Sequence, residues 1–147
     1  MERKSLSPTV SVTVGILLAC FAYAFAILQV ILTFGEGGSA TAADRGAFVM
    51  SLLSAAAYLL AELWIYPRAT RKSLLSLSYF AAFALLSALA FGIISVSDLT
   101  YVFDSNADMA RPLLLSACFR LCASHAVLLL LRIGHEIARY VKNTIRP

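Results

Sequence analysis

Four apolar stretches, Val10–Phe34, Ala47–Tyr66, Leu74–Val96 and Pro112–Ile133, take up most of this chain and leave only short connections between them. Each reaches or exceeds the ~20 residues that a helix needs to cross the hydrocarbon of a bilayer. In lipid the backbone must satisfy its own hydrogen bonds, which leaves helices or a closed barrel. Barrel strands would show ~10-residue segments alternating apolar and polar, and none is present. A water-soluble fold is excluded by composition: 61% of the residues are hydrophobic and 14% charged, against about 45–50% and about 25% in soluble domains. The sequence therefore predicts an all-α fold, a single integral membrane domain spanning residues 1–147. Because the connections are short, neighbouring helices should be antiparallel, giving an up-down four-helix bundle.

The first stretch has some marks of a secretory leader. Arg3 and Lys4 precede the apolar run, and Ala24-Phe25-Ala26 imitates a small-residue cleavage site. The run continues to Phe34, well past the ~7–15 residues of a leader's apolar region, so a retained membrane helix is expected.

Orientation follows from the basic residues. Arg3 and Lys4 precede the first stretch, Arg68, Arg71 and Lys72 follow the second, and Arg132, Arg139, Lys142 and Arg146 close the chain. The first and third connections carry only Arg45 and Arg111. Positive charge is retained on the cytoplasmic side, which places both termini and the Tyr66–Ser73 turn there. The membrane expected is a plasma membrane or bacterial inner membrane. Trp64, Tyr66 and Tyr101 suit its aromatic belts. The tail past Ile133 repeats Ile137, Val141 and Ile145 with Arg139, Lys142 and Arg146 elsewhere, an amphipathic pattern fit for phospholipids, anionic ones at the cytoplasmic face. This location accounts for the net charge of +4 without nucleic acid.

Helices in lipid associate by close packing and polar contacts rather than by expulsion of water. Small residues recur at helical spacing as Gly15, Ala19, Ala22 and Ala26 in the first stretch and as Ala47, Ser51 and Ala55 in the second. In the third they are Ala81, Ala84, Ala88, Gly92 and Ser95. The expected packing interface is Gly15, Ala19, Ala84, Ala88 and Gly92, chiefly within the bundle, with a subunit contact as the alternative. The Gly35–Gly46 connection reads as a flexible polar loop, and Ser97–Arg111 as long enough for a short surface helix.

Polar residues inside such stretches are costly and need partners. At 1.5 Å per residue, Arg120 would lie roughly 10–12 Å below the outer face, His125 roughly 18–20 Å and Glu62 roughly 22 Å. Glu62 and His125 could therefore meet, while Gln29, roughly 7–8 Å deep, is the nearest match for Arg120. Ser87, Ser124 or backbone carbonyls could complete the arginine's site.

Cys118, Cys122 and His125 share one helical face and could in principle ligate a soft metal or haem. No second membrane-embedded histidine supports that, and cysteines four apart on one helix point away from each other. Neither metal nor cofactor is expected. With no phosphate loop, nucleophile elbow or zinc-spaced motif, the expectation is a non-enzymatic accessory or structural subunit of a larger membrane complex. Its partners would be other membrane subunits or copies of itself. The alternative is a small oligomeric transporter or channel using Glu62, Arg120 and His125 in its pathway.

Overall fold

The computed structural model describes residues 5–35, 37–71 and 73–145. The described chain is helical, with α1 at Pro8–Gly35, α2 at Ala40–Ile65, α3 at Leu74–Val96, a single turn α4 at Thr100–Phe103, and α5 at Ala107–Ile145. Among the described residues, four helices are long and apolar enough to cross a membrane.

Local signals explain most boundaries. Pro8 opens α1, where its missing N–H would have had no helical partner, and the Ser7 hydroxyl accepts from Val10 N at 3.4 Å. Gly37 takes φ +83 to reverse the chain, a conformation open to glycine at little cost. Gly38 N then donates to Thr33 O at 2.9 Å, closing the end of α1. Ser39 caps α2 by accepting from Ala42 N at 3.2 Å. This cap corrects the expectation of a loop running to Gly46. Helix α2 begins at Ala40 because Ser39 satisfies one of its free amides and the alanines that follow are strong helix formers. Asp44 and Arg45 therefore sit on a helix. Likewise α5 runs through Pro112 rather than starting there.

The connections tie the ends together. Leu6, just ahead of α1, bridges to Ala69 after α2: its N–H donates to Arg68 O at 2.8 Å and its carbonyl accepts from the Thr70 hydroxyl at 2.9 Å. At the opposite end, Arg111 near the start of α5 donates to the carbonyls of Ile94, Ser95 and Ser97. It thereby covers the unsatisfied C-terminal carbonyls of α3 with positive charge. Phe34 of α1 meets Phe103 of α4 at the same end. The Ser97–Arg111 segment holds the single turn α4.

Helix α1 lies against α2, α3 and α5, and size complementarity explains how. Its inward face is Gly15, Ala19, Ala22 and Ala26, all buried. A Cβ on Gly15 would overlap the Ser78 hydroxyl and stand 2.9 Å from Leu75 O. The inward face of α3 is large instead: Leu75, Tyr79 and Phe83 are buried. Tyr79 stacks on Tyr58 of α2 at 4.3 Å between centroids, and Phe83 on His125 of α5 at 4.1 Å. The narrow side of α1 makes room for these rings.

Here the small-residue expectation for α3 fails. Ala84, Ala88 and Gly92 are exposed on its outward side, and a Cβ on Gly92 would meet nothing within 4 Å. Tyr79 and Phe83 bury more surface, and the Tyr79 hydroxyl finds its partner in His125, so these rings turn inward and the small residues turn out.

Candidate functional site

Three polar clusters are strung along the bundle, and the residues singled out in the sequence fall into different ones. The first is built on Arg120. Its Nη2 lies 2.6 Å from Asp44 Oδ2, Ser116 Oγ donates to Asp44 Oδ1 at 3.4 Å, and the guanidinium sits 5.8 Å from the centre of the Phe48 ring. Both charged side chains remain about a third exposed, 38% and 34%. Gln29 is not part of this contact. Its amide donates to Thr33 Oγ1 at 2.9 Å and its side chain covers Gly46, where a Cβ would stand 2.5 Å away. A carboxylate offers the arginine an opposite charge that an amide lacks, and the early start of α2 is what brings Asp44 within reach.

The second cluster surrounds His125, which is 2% exposed. Its Nδ1 is 2.8 Å from Leu121 O, an atom that can only accept, so Nδ1 carries the proton. In the neutral ring Nε2 then accepts from the Tyr79 hydroxyl, 2.5 Å away. Ser124 Oγ lies 3.1 Å from Nδ1 and itself donates to Leu121 O. Beside this pair, Tyr58 bonds Ser76 at 2.8 Å, and the Tyr23 hydroxyl contacts Ser87 and Cys122. Ser87 thus belongs to a tyrosine rather than to Arg120. Cys118 and Cys122 are free thiols, as is the exposed Cys20, and no group of three His, Cys, Asp or Glu among the described residues could hold a metal ion.

The third cluster holds Glu62, but with a different partner from the one expected. Glu62 forms an ion pair with Arg132 of α5, which also reaches Glu136 at 3.5 Å one turn on. The guanidinium lies 5.1 Å from the Tyr66 ring centre, and Arg139 donates to the Tyr66 hydroxyl at 3.0 Å. A buried carboxylate gains more from a long, permanently charged arginine than from a neutral imidazole already held by Tyr79. Between α2 and α5 at this level is a cavity of about 490 Å³.

Of the surface cations, Arg68 donates to Trp64 O at 2.6 Å and lies 4.7 Å from its ring centre. Arg71, Arg139 and Lys142 are placed at the same end of the bundle, while Arg3, Lys4, Lys72 and Arg146 lie outside the described residues. Sequence reasoning counted Arg132 only among the orienting cations and missed Asp44, Tyr23, Tyr58 and Tyr79. Tyr58 and Tyr79 did leave a signal, since a hydroxyl in the middle of an apolar stretch needs a hydrogen-bond partner.

No protein-family model, curated protein or solved structure matches this chain. The functional reading rests on the geometry.

Proposed function

We propose that this chain is an integral membrane accessory subunit: an up-down bundle with both termini cytoplasmic, presenting one outward helix face to another membrane protein. The observation that carries this reading is the outward side of α3. Ala84, Ala88 and Gly92 form an exposed strip there, and the space beside Gly92 is open. In lipid, small residues on one helix face favour close approach of a second helix, and no helix among the described residues occupies that space. The charge distribution agrees. Arg120 and Glu62 are each paired inside the chain, so a partner helix meets an apolar surface and need not neutralise an embedded charge. By contrast, Arg120, Glu62 and His125 sit in three separate clusters with their own partners, which gives a conduction pathway little support. The lysine and arginine distribution supports the orientation, in a plasma or bacterial inner membrane.

The test is isolation in mild detergent of the parent chain and of Gly92→Leu and Ala88→Leu. The expected result is one or more distinct membrane proteins retained by the parent and lost by both variants, with unchanged thermal stability of the variants themselves. Association only with further copies of this chain would favour a homo-oligomeric transporter instead. Retention of the same partners by both variants would remove the α3 face from the account.

A further inference from the structure

The cavity between α2 and α5 has a mixed lining that the subunit reading does not use. Its walls are the side chains of Leu59, Leu63, Leu128 and Leu131, with Tyr58 and the Glu62–Arg132 pair at its back. Next to it is a second depression of about 500 Å³ lined by Ala138, Arg139 and Lys142, and the two share Tyr66, His135 and Arg139. Together they form one groove, apolar at one end and basic at the other.

The charges within it are unequal. Glu62 and Glu136 both contact Arg132, so the acids are engaged by the guanidinium between them. Arg139 donates one N–H to the Tyr66 hydroxyl, a neutral group, and among the described residues neither Arg139 nor Lys142 forms an ion pair. Arg139 and Lys142, one turn apart on α5, therefore outweigh the one carboxylate charge left over at Arg132, and the rim of the groove is net positive. A guanidinium and an ammonium offer several N–H donors to a phosphate oxygen. Below them the leucine walls suit a hydrocarbon chain.

We infer that this groove binds an anionic phospholipid, its phosphate on Arg139 and Lys142 and an acyl chain between Leu63 and Leu131. This rests on the membrane reading above, and it adds a defined place on the bundle and the residues that hold the headgroup and the chain. Charge complementarity selects the occupant. A zwitterionic headgroup brings its own cation against the two basic residues, whereas a phosphatidylglycerol headgroup brings net negative charge alone.

The experiment is native mass spectrometry of the full chain, delipidated in neutral detergent, titrated with phosphatidylglycerol or with phosphatidylcholine of the same acyl chains. Each basic residue near a membrane surface counts for about fivefold in affinity, so the two together predict a preference of roughly twenty-five-fold for phosphatidylglycerol. The double variant Arg139→Ala/Lys142→Ala should lose that preference. Arg71→Ala, an exposed cation outside the groove, should keep it. Leu131→Trp should narrow the apolar end and weaken phosphatidylglycerol binding while both cations remain. Equal binding of the two lipids, or a preference that survives the double variant, overturns the site. Displacement of phosphatidylglycerol by inorganic phosphate, with Leu131→Trp unaffected, would assign the cations to free phosphate and also overturn it. Alkaline carbonate extraction separates the two proposals. A chain stripped from membranes by carbonate defeats both, and a chain that stays embedded without lipid preference defeats only this one.

Discussion

At the scale of single residues, the fold is held by polar side chains that each find one good partner. Arg120 and Asp44 illustrate the energetics. Replacing Arg120 by leucine leaves the Asp44 carboxylate with only the long contact to Ser116, and losing such a partner costs about 1–3 kcal/mol. The double variant Asp44→Leu/Arg120→Leu removes both charges and should recover part of that loss. Denaturation of the three variants in detergent measures the coupling, and strictly additive losses would show that the pair contributes nothing. Asp104 is a different case. It adopts φ 48, which glycine tolerates and other residues adopt at a cost of order 1–3 kcal/mol. Asp104→Gly should therefore raise stability by about 1 kcal/mol once glycine's greater freedom in the unfolded chain is offset. A fall in the melting temperature would mean that the Asp104 side chain makes a contribution larger than the strain.

At the scale of helices, what was legible in the sequence and what was not have physical causes. The extent of α3 was readable to the residue, because serines bound it on either side and no charged residue interrupts it. The starts of α2 and α5 were not. Asp44, Arg45 and Gly46 look like loop chemistry, and Pro112 looks like a first residue, yet capping and tertiary contacts carry both helices further. The tail's continuation in α5 was legible from its repeat of apolar residues. Partners were harder than elements. Depth alone aligned Glu62 with His125, but depth says nothing of rotation about the helix axis, and only rotation decides that Arg132 faces Glu62 while His125 faces Tyr79. The small residues of α1 and α3 show the same limit, since equal spacing gave one inward and one outward strip. This leads to a paired expectation. Gly15→Leu should be strongly destabilising, because its side chain would enter the backbone of α3, whereas Gly92→Leu should leave the unfolding free energy of the isolated chain within about 0.5 kcal/mol of the parent's. Equal damage at both sites would show that α3 packs in another rotation.

At the scale of the whole molecule, charge sorts by position. The ion pairs Arg120–Asp44 and Arg132–Glu62 join α5 to α2, while basic residues gather at the end that holds Leu6, the Tyr66–Arg68 turn and the later part of α5. If that end is cytoplasmic, an impermeant thiol reagent on intact cells should label cysteines placed at Gly37 or Ser105. It should spare those placed at Arg71 or Asn143, and labelling at Asn143 from outside would reverse the orientation. The most direct test of the central claim, that the outward face of α3 docks another membrane protein, is a photo-crosslinking residue at Gly92 in native membranes. A matched residue at Leu130, exposed on α5, serves as the reference. The account predicts a protein adduct of defined mass from Gly92 and only lipid adducts from Leu130; lipid adducts alone from both positions would contradict it.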